Sequence, residues 1–163
     1  KGFQATTQLR GNATIRANTD LAKQAARLNL GGIPIEKDRD VVRVVIPADQ
    51  VFQPGTAQIH AQAAQVLDPI AAQVRAVFPR QRIGIESYTD NAQIYGGSVA
   101  TSHQLTSAQA LAVLDFLTRR SGVPGQQLFT VAQGSNNPRQ SNETPAGRVA
   151  NRRIELVIYP DTF

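Results

Sequence analysis

Few side chains in this sequence can do chemistry, and most of those are arginines. There is no cysteine, which removes disulfides, thiolate zinc sites and cysteine nucleophiles. His60 and His103 lie far apart with no carboxylate pattern beside them. They read as surface residues rather than metal ligands. No Gly-x-Ser-x-Gly, phosphate loop or zinc-helix motif occurs. The sequence therefore points away from an enzyme and implies no cofactor and no metal. What remains is recognition by charge. Asp90 directly follows an alternating run, and Arg148, Arg152 and Arg153 cluster ahead of the last one. By itself Asp90-Asn91 has the composition of a turn, and Arg152 or Arg153 has ion-pair partners to hand in Glu155, Glu86 or Asp90. Successive residues at a strand start point in opposite directions, so one of the two arginines is placed toward Asp90 and the other away.

The chain has 163 residues, enough for one domain with a tail. A hydrophobic fraction of 41% supplies a core, which argues against wholesale disorder. No apolar run approaches the ~18 residues of a membrane span. The net charge is +5, a balance that raises a nucleic-acid reading. Against it, the arginines are scattered and aromatics are only 6% with no Trp, so a stacking platform is poorly supplied. The partner inventory therefore omits nucleic acid. The first residue is Lys rather than Met, so any signal peptide, membrane helix or lipid-bearing cysteine is expected upstream, and membrane contact only through that anchor.

The elements that must position these residues follow from pattern. Residues 1–30 read as a linker or tether. The first 18 are rich in Thr, Gln, Asn and Gly without period, and Thr19 or Asp20 can cap a short helix to about Leu28. Residues 31–163 form the domain. Ile33–Glu36 and Val41–Pro47 flank a charged turn and suggest a hairpin. The second run is β-branched almost throughout and is expected to be buried on both faces. From Gly55 to about Phe78 apolar residues recur at helical spacing, with Pro69 inside. Arg82–Tyr88 alternates as a strand. Thr89–Gln104 is a polar loop long enough to suggest function. Leu105–Arg120 is a second amphipathic helix, Leu128–Ala132 a strand, Gly134–Pro145 a polar loop and Arg153–Tyr159 a last strand. Helices separated by single strands imply an α+β domain, with two main helices layered on one mixed sheet and at least one βαβ crossover.

Four segments resemble a known family, the OmpA-like C-terminal domain shared by OmpA, Pal and MotB, over about Val41 to Tyr159. Val51-Phe52-Gln53-Pro54-Gly55-Thr56-Ala57 is similar to its Phe-x-x-Gly-Ser-Ala entry to the first helix. Ile83 to Asn91 is similar to the strand ending in Gly-His-Thr-Asp-Asn. Leu105-Thr106-Ser107-Ala108-Gln109-Ala110 sits where the family has Leu-Ser-x-x-Arg-Ala. Asn142 to Glu155 is similar to Asn-x-Thr-x-x-Gly-Arg-x-x-Asn-Arg-Arg-Val-Glu. The resemblance implies a βαβαβ sandwich that grips peptidoglycan non-covalently. It implies that Asp90, with Thr89 and Asn91 beside it, receives the ammonium of diaminopimelate. Its carboxylate would go to an Arg at the start of the second helix, and Arg152 and Arg153 are further candidates for the pocket. A ligand with both charges needs one anion and one cation a few ångströms apart, and a recessed pair is worth more than an exposed one.

This chain departs from that pattern at the cation. Gln109 occupies the Arg slot, Tyr88 replaces the His, and the loop after Asp90 is longer. A neutral hydrogen bond in place of a charge-assisted one loses ~1–2 kcal/mol, about 5- to 30-fold in affinity. Gln109 also completes a capping-box spelling, Thr106-Ser107-Ala108-Gln109, so a helix-capping role stands beside ligand contact. Two functions compete. One is a peptidoglycan-binding, anchoring module of a Gram-negative periplasmic protein, a lipoprotein or similar, tethered to the outer membrane. The other is a docking subunit of an envelope-spanning secretion or motor complex, with other subunits of that complex as partners and weak or lost wall binding.

Overall fold

The computed structural model describes residues 20–94 and 99–163. The tether expected over residues 1–18, the cap at Thr19 and residues 95–98 of the long loop lie outside the described residues. The polypeptide forms β1 (Ile35–Asp38), β2 (Val41–Pro47), α1 (Ala63–Val77), β3 (Gln81–Tyr88), α2 (Ser102–Asp115), β4 (Leu128–Gly134), α3 (Pro145–Asn151) and β5 (Arg153–Thr162). The sheet order is β1-β2-β5-β3-β4. The last strand is thus the middle one, antiparallel to both β2 and β3. Strands β3 and β4 are parallel, and α2 makes the crossover between them. This is the expected α+β sandwich of helices on one mixed sheet.

One sheet face is apolar and the other carries a charged cluster beside Val157, Phe129 and Tyr159, because alternation sends neighbouring residues to opposite sides. Val44, Ile46, Ile83, Ile85, Ile154, Leu156 and Ile158 pack with Leu67, Ile70 and Val74 of α1 and Ala110 and Val113 of α2. On the reverse face Arg43, Glu86, Arg153 and Glu155 meet. Glu86 and Glu155 are directly opposite each other across β3 and β5, a repulsive pairing on its own. Arg43 Nη1 donates to both, at 3.0 and 2.8 Å. Arg139 brings the loop between β4 and α3 onto the same cluster, with Glu36 at 2.8 Å and Glu155 at 3.0 Å. The expectation that β2 is buried on both faces therefore fails. Val42, Val44 and Ile46 are buried while Val41, Arg43 and Val45 are half-buried, since that side carries ion pairs instead of a second core.

Two helices also differ from expectation. The first helix begins at Ala63, not near Gly55, because Gly55 adopts a left-handed φ of +69° and Phe52 bridges to Ile59. Pro69 lies within α1 without dividing it. Residues 20–25 are helical, and Leu21 and Leu30 join the core. Gln24 Nε2 donates to the Val77 carbonyl at 3.1 Å. Part of the 20–30 segment therefore buries apolar surface in the same core. The short helix α3 has no counterpart in the sequence reading. Its signal was Thr144-Pro145: the Thr144 hydroxyl accepts the Gly147 N–H at 3.0 Å, and proline suits the first helical turn. Gly147 tolerates no side chain, since a Cβ would stand 1.9 Å from the Ser141 carbonyl oxygen.

Burial alone would push the Glu155 carboxyl up, but hydrogen bonds and charge from Arg153 and Arg139 hold it below its ordinary 4.5. A depressed acid stabilises the fold fully above its unfolded value and loses that contribution as pH falls through the folded one. Urea unfolding should therefore show stability flat between about pH 7 and 5.5 and falling below about 4.5. Glu155→Gln should cost about 2–4 kcal/mol at pH 7 and make the acid fall shallower.

Candidate functional site

Three strand ends converge at one edge of the sheet. β2 runs into a 3-10 turn, Ala48–Gln50, that carries Asp49. β3 ends at Tyr88 and delivers Thr89 and Asp90. Arg152 stands between α3 and β5 as the capping residue of that helix. Antiparallel register opposes Pro47 and Arg153, and the Ala48 N–H donates to the Arg152 carbonyl at 3.0 Å. Asp49 and Arg152 are thereby neighbours by backbone geometry before their side chains meet.

The side chains then close a bridge. Arg152 Nη1 donates to Asp90 Oδ2 at 2.7 Å. Its Nε and Nη2 donate to the two Asp49 oxygens at 3.2 and 2.9 Å, the fork geometry that guanidinium and carboxylate share. Hydrogen bonds to Asp49, outweighing burial and joined by the bond to Asp90, raise the Arg152 pKa. Asp90 is 6% exposed, and its Oδ1 accepts the Ala92 N–H at 3.0 Å. It is a turn former as well as a charged wall.

These residues line an open recess of about 570 Å³. Phe52, Pro54 and Leu105 supply apolar walls; Thr56, Thr89 and Gln109 supply polar ones. Among the described residues the charged lining is Asp49, Asp90 and Arg152, two negative charges against one positive. The Thr89 hydroxyl is buried with no hydrogen-bond partner among the described residues, while its N–H donates to the Gly134 carbonyl at 2.8 Å. Such a recess can receive an ammonium group: each carboxylate oxygen keeps a lone pair free beside its present bond.

Gln109 lines this recess but does not cap its helix. α2 starts at Ser102, and the capping box is Thr101 with Gln104. The Thr101 hydroxyl accepts the Gln104 N–H at 3.1 Å, and Gln104 Oε1 accepts the Thr101 N–H at 3.2 Å. The expected box at Thr106–Gln109 fails because the helix begins a turn earlier. Gln109 instead ties α2 to two other elements. Its Nε2 donates to the Thr56 carbonyl at 2.9 Å, and its Oε1 accepts the Ser87 hydroxyl at 2.9 Å. The Thr56 carbonyl can only accept, which fixes the amide orientation.

Arg153 does not belong to the recess. It is buried on the charged face, where its Nε donates to Glu155 at 2.7 Å. Its guanidinium carbon lies 3.7 Å from the centre of the Tyr88 ring. The Tyr88 phenol in turn donates to Glu86, and burial together with that bond pushes its pKa up. Asn91 is exposed and lines an adjoining recess of about 370 Å³ that shares Asp90. Of the six residues singled out, Thr89, Asp90, Gln109 and Arg152 converge, Asn91 stands next door and Arg153 faces away. Asp49 was missed. Nothing in its own segment marks it, and only the β2–β5 register brings it to Arg152. Arg148 anchors the loop ahead of it by donating to the Asn142 carbonyl at 2.8 Å.

A model of the OmpA family matches residues 51–152. The peptidoglycan-binding protein ArfA of Mycobacterium tuberculosis is 40% identical over 94 residues, 58% of this chain and 27% of that protein. The chain thus spans about a quarter of the length of that relative. The periplasmic domain of Helicobacter pylori MotB shares the fold at a TM-score of 0.73 and 22% identity, over 78% of this chain and 82% of that one. The cell wall anchor of the Pseudomonas aeruginosa T6SS superposes at a TM-score of 0.71 and 25% identity, over 90% and 96%.

Replacing Gln109 by Leu leaves a buried hydroxyl and a carbonyl without partners and should cost about 1–3 kcal/mol. Thr101→Ala should cost about 1 kcal/mol through the lost cap. Urea unfolding of both variants reads these values; a neutral Thr101→Ala would place the true helix start elsewhere.

Proposed function

The chain belongs to the OmpA family, and from that premise we propose that it is a non-covalent peptidoglycan-binding module that anchors a cell-envelope protein to the wall. The observation that carries this reading is the Asp90 carboxylate lining an open recess while bridged to Arg152. The ammonium of a wall-peptide diamino acid docks between Asp90 and Asp49. Thr89 offers its hydroxyl, unpartnered among the described residues, and Gln109 and Arg152 complete the wall. Binding of this kind needs neither bond making nor a cofactor, and the module is not an enzyme. The work is mechanical: one end held by an anchor, the other by the wall.

The wider setting is also part of the proposal. The module acts in the periplasm of a Gram-negative cell, in a lipoprotein or similar protein tethered to the outer membrane. Among the described residues no helix is long and apolar enough to cross a membrane. Nucleic acid is not a partner on this reading, and association with DNA at physiological salt would count against it.

A second reading is favoured by one observation, the absence of a cation at position 109. The domain then serves as a docking subunit of an envelope-spanning secretion or motor assembly, with wall affinity reduced. Likeness to a secretion-system wall anchor supports keeping it.

Co-sedimentation with purified sacculi separates the two. Asp90→Ala should lower affinity at least about tenfold, the scale of one lost charge-assisted contact. Arg153→Gln, checked for folding by circular dichroism, should retain it. Weak retention indifferent to Asp90 would reject wall binding through this recess and favour the docking reading.

A further inference from the structure

The charges around the recess do not suit a ligand that brings a free carboxylate. Among the described residues the lining carries two carboxylates and one guanidinium, so an incoming anion meets a net negative wall. Arg152 cannot answer it as a free cation would. Its Nε and Nη2 are forked onto Asp49, and its Nη1 is on Asp90 at 2.7 Å. The two N–H groups it has left belong to a charge already shared between two anions. Recruiting it would expose Asp90, 6% exposed, to a second negative neighbour.

The neutral side of the recess points the same way. Gln109 is held at both ends, by Ser87 on its oxygen and by the Thr56 carbonyl on its nitrogen. It retains one amide N–H, a donor suited to a neutral carbonyl as much as to a carboxylate. The buried Thr89 hydroxyl, unpartnered among the described residues, is a second neutral group. A recess with anionic and neutral walls selects a cation with no anion beside it.

We propose that this recess selects a wall peptide whose diamino acid presents a side-chain ammonium with no free carboxylate beside it. Two sources share that chemistry: a diaminopimelate whose side-chain carboxyl is amidated, and a lysine. The inference rests on the peptidoglycan reading and sharpens it to a substrate class. The ammonium lies against Asp90 and Asp49, and the side toward Gln109 receives no charge: a carboxamide in the first source, nothing but hydrogen in the second.

Isothermal titration of the intact chain with three tripeptides tests this without altering the protein. The third residue is diaminopimelate in one, its side-chain amide in the second and lysine in the third. The amide or the lysine peptide should bind about tenfold tighter than the acid, because an added anion is repelled by the net negative wall. Whichever of the two is tighter identifies the source. Gln109→Arg, verified as folded by its thermal transition, should raise affinity for the acid peptide about tenfold and erase the preference. Equal affinities, or preference for the acid, would overturn the selectivity while leaving wall binding intact. No binding of any of the three would overturn the selectivity and the wall-binding reading together.

Discussion

A single guanidinium held between two carboxylates sets the character of the recess. Asp49, Asp90 and Arg152 come from three parts of the chain, and no two of them are close in sequence. Asp90, which is buried, would be costly at this depth without the arginine, because a charge taken from water needs an opposite partner; Asp49 pairs with the same arginine from the exposed rim. The bridge therefore ties the ends of β2 and β3 to the start of β5 and leaves its surplus negative charge facing the opening. What the site can hold follows from that surplus.

The neighbouring arginine shows how closely sheet geometry separates two roles. Arg152 and Arg153 are adjacent, yet the first reaches the recess and the second lies under Tyr88 on the opposite face. There it joins Arg43 and Arg139 in neutralising Glu86 and Glu155. That cluster replaces a second apolar layer and leaves the helices on one side only. Tyr88 touches both regions, since the residue lines the recess while its ring receives the Arg153 guanidinium. It couples the binding edge to the charged face through one residue.

The sequence carried much of this architecture. Alternation in Arg82–Tyr88 and Arg153–Tyr159 marked strands correctly because one face packs on helices and the other on charges. Asp90 and the Asn142–Glu155 segment marked the site edge. Other features were hidden for definable reasons. Asp49 lies in an ordinary Pro-Ala-Asp turn, and only the pairing of β2 with β5, remote in sequence, gives it meaning. The start of α2 was misplaced because Thr101, Thr106 and their glutamines both spell caps, and local spelling cannot choose between them. β2 looked doubly buried because β-branched residues suit a half-buried, charge-backed surface as well as a core. Leu21 and Leu30 join the core, which their own short segment does not announce.

The most direct test of the Asp90–Arg152 bridge as a binding unit is a double-mutant cycle on affinity for soluble muropeptides, using Asp90→Asn, Arg152→Gln and the double variant. The account predicts strong coupling: the double variant should lose less than the sum of the single losses, with an interaction energy above about 1 kcal/mol. Additive losses, or an Asp90→Asn variant that binds like the parent, would contradict it.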